Sequence, residues 1–473
     1  MVFSSETFLF LFLPLFLAVY YLTPMRFRSV TILIGSYTFY GWWRIDFLGL
    51  LFLTTVWTYI FGRRVGAARS QKEAKVWLVI GLAGCLGVLG VFKYLNFFLD
   101  SFAALVGTDA EGLGVFWRLT LPIGVSFYVF HCVSYLVDVY RKDAEANAKF
   151  FDFAAFIALF PQLVAGPILR FKDLQHQFAS RVHSMDLFID GTTLFMIGLA
   201  KKVLLADTIA PLADLAFTTP DPSLALAWLG SIAYMMQIYF DFSGYSDMAI
   251  GLGMMMGFHF LPNFNMPYIS RSITEFWRRW HISLSVWLRD YLYIPLGGNR
   301  KGPARTYINL MLVMLLGGIW HGANWTFVIW GVWHGGWLAI ERATGRAKAT
   351  DLGALVSTLL IVLLGWVVFR AADVNEAMGV YAGMIGMNGW VTPPEIALLI
   401  TQESITFLAL AIGIAAMEPG LNHLAGTRLV PGPDGTLTAV NTLAPALLMT
   451  ALATFTVMKL AEQSFSPFLY FQF

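Results

Sequence analysis

The chain has 473 residues, 58% apolar and only 13% charged, with 31 basic against 29 acidic side chains and a net charge of +2. So few charges cannot cover a soluble globule of this length, and the mean hydropathy of +0.67 agrees. A cytosolic enzyme, a secreted disulfide scaffold and a disordered chain are excluded, and no excess of basic charge points to a nucleic-acid partner. A polytopic membrane protein remains, and roughly 20 apolar residues per helical span leave room for about thirteen spans at most.

In chain order, the apolar run from Phe8 to Leu22 has no basic residue ahead of it and Arg26 and Arg28 behind it. It lacks the positive leader and cleavage site of a signal peptide, so the first helix is expected to be retained with its N-terminus outside. Spans near 8–23, 29–43 and 47–61 lead inside, to Arg63, Arg64, Arg69, Lys72 and Lys75 against Glu73. A span near 76–98 leads outside to Asp100, Asp109 and Glu111, and one near 121–140 returns to Arg141 and Lys142.

The stretch 150–170 reads as re-entrant, because a crossing there would place Arg170, Lys172 and Arg181 outside and because Pro161 and Gly166-Pro167 interrupt it. Broken backbone at that depth must be enclosed by protein or line a cavity. Spans near 187–207 and 224–241 lead out to Asp214 and Asp221 and back to a basic cytoplasmic stretch, 261–305. Spans near 306–322, 324–340, 353–369, 403–417 and 440–458 bring the total to about twelve, with both termini outside. Segment 375–390 is too weak to assign. With no linker, repeat or soluble domain in view, 1–473 reads as a single membrane-embedded domain. Cys85 and Cys132 lie in apolar stretches and read as small core residues.

Two histidines stand out. On a helical wheel of 272–291, Ile273, Phe276, Trp277, Trp280, Leu284, Trp287, Leu288 and Tyr291 fill an arc of about 120°, with Arg278, Arg279, Ser285 and Arg289 opposite. Ser272-x-x-Glu275 supplies a capping box. This pattern predicts one continuous interfacial helix, its tryptophans toward acyl chains and His281 at the edge of the apolar arc. Just upstream, Asp241 and Asp247 close a span, where ionisable residues are functional candidates by default; for Asp247 a structural ion pair or cap is favoured.

His321 lies in the apolar region 306–340, which as one helix would be about 50 Å long and must break, most naturally at Gly322-Ala323-Asn324. A buried imidazole at such a break is a base of tunable strength, and Gly317, Gly318 and Gly322 are read as letting a substrate approach the backbone. His334 lacks a matching break and is read as structural. His131, His176, His183, His259 and His423 join no constellation. No phosphate-binding loop, metal-spaced cluster or nucleophile elbow is present, so no metal is expected.

Trp277-Arg278-Arg279-Trp280-His281-Ile282-Ser283-Leu284-Ser285 followed by Gly318-Ile319-Trp320-His321-Gly322 resembles the paired signature of membrane-bound O-acyltransferases. Met1–Ser5, Ser36-Tyr37-Thr38-Phe39-Tyr40-Gly41-Trp42-Trp43, Pro161-Gln162-Leu163-Val164-Ala165-Gly166-Pro167 and the closing Ser466–Phe473 are similar to its bacterial polysaccharide-acetylating branch. The resemblance implies an all-α ring of helices around a central tunnel, with re-entrant and interfacial helices, in a bacterial inner membrane. It implies transfer of acetyl from cytoplasmic acetyl-coenzyme A to a hydroxyl outside, in the acetylation of an exported polysaccharide through an exported acetyltransferase or relay protein. Alginate is the expected polymer; relatives that acetylate peptidoglycan or cellulose, or move D-alanine onto teichoic acid, share much of the motif.

His321 would be general base or transient acyl carrier, and His281 would orient the thioester or polarise its carbonyl. Arg278, Arg279, Trp280, Ser285 and Arg289, with Asp241, Trp320 and Asn324, are the residues expected at the donor. The rival from another class, a transporter or channel, would show inverted repeats with matched broken helices, and none is visible.

Overall fold

The computed structural model describes residues 1–146, 149–424, 443–462 and 468–469. Of the closing motif, Ser466-Pro467 and the residues from Tyr470 on lie outside the described part, as do the first residues of the span expected at 440–458 and the His423 side chain. Of the described residues 76% are helical, and no strand occurs among them. Ile45–Gly66, Gln71–Leu105, Leu352–Arg370 and Gln402–Gly420 are each long and apolar enough to cross a bilayer alone. The other expected spans fall on helices that are shorter or that carry Gly, Ser, Asp and His toward neighbouring protein. The chain is an all-α, multi-pass membrane protein. It forms two compact units, 1–188 with 252–260, and 189–251 with 261–473.

In the first unit, α1 (Thr7–Leu22), α2 (Arg28–Gly41), α3 (Ile45–Gly66), α4 (Gln71–Leu105) and α5 (Val125–Arg141) pack around buried aromatic side chains. Phe3, Phe8, Phe12, Phe16 and Phe39 gather around Phe160, with ring centres 5.1–6.4 Å from it. The stretch 150–170 is broken: α6 (Phe150–Ala158) stops at Leu159, a single helical turn (Phe160–Leu163) follows, and α7 (Phe171–Ala179) begins after Gly166-Pro167. Protein meets the polar atoms freed by the break. Phe160 N donates to Ser36 Oγ at 3.1 Å, and Gln162 Nε2 donates to Phe156 O at 2.6 Å. A Cβ on Gly166 would sit 2.4 Å from Pro161 O, so only glycine lets the chain double back there.

In the second unit, α8 (Met185–Ala200, entering from the first unit) leads through a π turn (Lys201–Ala206) into α9 (Asp207–Thr218). The 32-residue α10 (Leu224–Met255) packs on α8 at glycines: a Cβ on Gly198 would lie 2.4 Å from Gly244 O, and one on Gly251 would lie 2.4 Å from Gly191 O. The π turn aims two lysines at α10. Lys201 Nζ pairs with Asp247 at 2.8 Å; Lys202 Nζ bridges Asp207 at 2.6 Å and Asp241 at 2.7 Å. Asp241 Oδ2 also accepts from Leu469 N at 3.0 Å, and Phe468 stacks on Tyr245 at 4.4 Å. Asp247 therefore has the structural role expected of it, with a lysine as its partner. The remaining helices are α11 (Ile273–Arg279), α12 (Ile282–Leu288), α13 (Pro303–His321), α14 (Trp325–Thr344), α15 (Leu352–Arg370), α16 (Val374–Met384), α17 (Gln402–Leu424) and α18 (Leu443–Glu462). The unassigned segment 375–390 is thus mostly α16.

Lys202 is 3% exposed and Asp241 1%. Removing the cation leaves two carboxylates without their counter-charge, so Lys202→Met is expected to cost about 3–5 kcal/mol. Thermal unfolding in detergent checks this; an unchanged midpoint would show that the triad carries no structural load.

Candidate active site

The stretch 272–291 is two helices, not the single interfacial helix its periodicity predicts. α11 stops at Arg279, Trp280 is extended, and His281 adopts the left-handed region at φ 44°, ψ 55° before α12 begins. A non-glycine residue there costs about 1–2 kcal/mol, and Asn263 holds it in place. Asn263 O accepts from Ile282 N at 2.9 Å. Asn263 Oδ1 accepts from Ser283 N at 3.1 Å and from Ser283 Oγ at 2.9 Å, and it lies 3.1 Å from His281 Nδ1. A backbone N–H can only donate, so the Asn263 atom at the centre is its oxygen. His281 Nδ1 is then the protonated nitrogen and Nε2 carries the lone pair. Burial pushes the His281 imidazole down to about 3, so the ring is neutral at physiological pH.

The apolar arc also faces protein, not acyl chains. Ile273, Phe276, Trp280, Leu284, Trp287 and Leu288 are all buried, with Trp280 4.9 Å from Trp366, ring centre to ring centre. A wheel reports which face is apolar, not what covers it. The Ser272 half of the predicted capping box is present, with Glu275 N donating to Ser272 Oγ at 3.0 Å, whereas the Glu275 carboxylate accepts from Arg271 N at 2.9 Å. The Glu341 carboxylate at the end of α14 adds a second cap, accepting from Ile273 N, from Thr274 N and from Thr274 Oγ1.

α13 ends at His321, and α14 starts at Trp325, so the break falls at Gly322-Ala323-Asn324. Asn324 Oδ1 accepts from Thr326 N at 3.2 Å and caps α14, while its Nδ2 donates to Ala372 O at 2.7 Å. The flanking glycines serve packing, contrary to the substrate-approach reading. A Cβ on Gly318 would lie 2.3 Å from Phe327 O, and one on Gly322 would lie 2.0 Å from the Phe327 ring. A Cβ on Gly317 would press on the Leu288 side chain at 3.3 Å. His321 is buried among Trp320, Trp330 and Phe369 (ring centres 5.0–5.2 Å), with the His281 ring centre 6.4 Å away.

A cavity of about 270 Å³ brings part of the expected set together: Arg278, Ser285, Arg289 and His321 all line it, with Trp277 and Trp330. Arg278, Ser285 and Arg289 are spaced 7 and 4 apart, one stripe that survives the break at His281. The other candidates lie elsewhere. Arg279 pairs with Glu275 at 2.9 Å and donates to Asn265 O at 3.1 Å. Trp280 is packed in the aromatic core, Trp320 lies against both histidines, Asn324 is a cap, and Asp241 belongs to the Lys202 triad.

Two residues were missed. Asn263 sits in a stretch without periodicity, and no local pattern marks it. Glu341, a carboxylate closing an apolar span, carries the same warning as Asp241. His334 was set aside as structural; it is wholly buried, 4.9 Å from the Trp330 ring, and neither ring nitrogen has a hydrogen-bond partner among the described residues.

Comparison with known proteins shows the family. Residues 116–364 match the model of MBOAT, the membrane-bound O-acyltransferase family. The chain is 51% identical to the probable alginate O-acetylase AlgI of Azotobacter vinelandii and 48% identical to that of Pseudomonas aeruginosa, each over the full length of both proteins. It is 36% identical to the peptidoglycan O-acetyltransferase of Helicobacter pylori over 82% of this chain and 80% of that one. Both histidines and the cavity that His321 lines fall inside the matched region, and the chain belongs to the membrane-bound O-acyltransferase family: it is an O-acyltransferase.

Proposed function

We propose that the chain moves an acetyl group from cytoplasmic acetyl-coenzyme A to a hydroxyl on the far side of a bacterial inner membrane, for O-acetylation of an exported polysaccharide. The observation that carries this reading is the shared cavity, in which two guanidiniums and a serine hydroxyl stand with a buried imidazole. Arg278 and Arg289 suit the phosphates of the donor, and the apolar interior suits its thioester arm. Alginate is the favoured polymer, since the relatives matched over their full length bear that name. An exported acetyltransferase or relay protein on the outer face would pass the acetyl group to the polymer. The family reading adds a helical ring around a tunnel joining the two sides, and the loop charges put both termini outside.

In the step proposed, a ring nitrogen of His321 takes the proton of the acceptor hydroxyl as its oxygen attacks the thioester carbonyl. The C–S bond breaks, and His321 returns the proton to the departing thiolate. The tautomer held by Asn263 narrows the part of His281. With the lone pair on Nε2, it can accept a hydrogen bond from an amide N–H of the donor and so orient the thioester. It has no proton there with which to polarise the carbonyl.

Three outcomes follow. His321→Gln keeps a buried polar group of similar volume but no base, so turnover should fall about 10²–10⁴-fold with the unfolding midpoint near wild type. A lower midpoint with intact specific activity would instead make His321 structural. Arg278→Glu with Arg289→Glu should raise the KM for donor, more strongly at low salt, whereas Arg279→Glu should lower stability and leave that KM in place. Equal effects of the two changes on KM would count against the cavity as donor site. For sidedness, a cysteine replacing Lys301 should be labelled from the cytoplasm and one replacing Asp221 from outside; the reverse would overturn the topology.

A further inference from the structure

In the first unit, a cationic cluster lies apart from the residues assigned to acyl transfer. Tyr20 of α1, Arg28 at the start of α2, and Arg181 and His183 beyond α7 converge near the carbonyl of Met256. Tyr20 Oη donates to Met256 O at 2.7 Å and lies 2.9 Å from His183 Nε2. Arg28 Nη1 lies 2.8 Å from the same ring nitrogen, and its guanidinium stacks over the Tyr20 ring at 4.8 Å. Arg181 is 8% exposed, lies 4.4 Å over the Phe258 ring, and donates from Nη1 to Gln177 O at 3.3 Å, while its buried Nε has no hydrogen-bond partner among the described residues. Gly257, at φ +81°, permits the close approach: a Cβ there would stand 2.9 Å from Val182 O and 3.1 Å from His183 Nε2.

The charges of this cluster are not balanced. Among the described residues neither Arg28 nor Arg181 forms an ion pair; Asp152 acts on Arg181 only through its field. Burial, followed by the fields of Arg28 and Arg181, holds the His183 imidazole below its usual value. A buried guanidinium normally has an anion beside it, because the desolvation cost is otherwise uncompensated. The apolar rim shows where that anion comes from. Leu22, Met25, Phe27, Val182 and Met185, each within three residues of a member of the cluster in sequence, are exposed at 40–84%, and Met25 Sδ lies 3.6 Å from Arg28 Nη1. A soluble anion gains nothing from such a rim, whereas an amphiphile with an anionic head does.

We propose that Arg28, Arg181, His183 and Tyr20 form a binding site for the phosphate of an anionic phospholipid, whose acyl chains lie against the exposed rim. The guanidiniums supply paired N–H donors to the phosphate oxygens, and Tyr20 and His183 close the polar side. Loop charges read from the sequence put this site at the cytoplasmic leaflet.

Native mass spectrometry of the full-length protein in detergent tests this, with phosphatidylglycerol, phosphatidylcholine and inorganic phosphate titrated separately. The wild-type protein and Arg26→Gln, whose charge is nearby but stands over Phe27, should each retain phosphatidylglycerol in preference to phosphatidylcholine. Arg28→Gln should lose that preference, with phosphatidylglycerol binding weakened about tenfold. Millimolar inorganic phosphate should leave the lipid in place. Arg28→Gln retaining phosphatidylglycerol like wild type would overturn the proposal, and so would displacement of the lipid by inorganic phosphate, which would mark a soluble-anion site. Should the variants fail to fold, the wild-type protein decides alone: equal retention of the two lipids contradicts a built anionic-lipid site.

Discussion

Breaking a helix inside an apolar protein releases backbone N–H and C=O groups that water does not reach, and each costs several kcal/mol unless a side chain meets it. The positions that matter most here are breaks of this kind, and each is met. Ser36 accepts from Phe160 N where 150–170 turns back; Asn324 caps α14 after His321; Glu341 takes the first N–H groups of α11. Asn263 does most, since it satisfies the start of α12 and fixes the tautomer of His281 together. Backbone satisfaction and the orientation of the buried His281 ring therefore rest on the same few polar side chains.

Glycine works in the same direction. The α13–α14 hairpin closes because Gly318 and Gly331 let each helix reach the other's backbone, and a Cβ on Gly331 would lie 2.6 Å from Met314 O. That closeness is what presses His321 against Trp330 and Phe369 at the wall of the cavity. Gly317, on the cavity wall, packs against the Leu288 side chain, while Gly318 and Gly322 are held close to Phe327.

Much of this was legible in the sequence. Composition identified a polytopic membrane protein, length forced a break after His321, and the polar face of 272–291 held Arg278, Ser285 and Arg289, though together with Arg279. The break at His281 was not legible, because the residues on either side keep helical periodicity and the cause is Asn263, 18 positions away in sequence. Whether Trp280 faces lipid or protein was also out of reach, as an apolar arc reads the same against either. Asp241 looked like a functional carboxylate on the general rule for ionisable groups in spans. Its partner, Lys202, sits on a π turn that local pattern does not announce.

The central claim is that this chain splits an acetyl thioester and passes the acetyl group to a hydroxyl. The most direct measurement is release of free coenzyme A thiol from acetyl-coenzyme A by the purified protein in proteoliposomes, followed together with acetyl ester on an added hydroxyl acceptor. The account predicts that thiol and ester appear in equal amounts and that both fall about 10²–10⁴-fold in His321→Gln. Ester formation without thiol release, or neither with a folded wild-type protein and acceptor present, would contradict it.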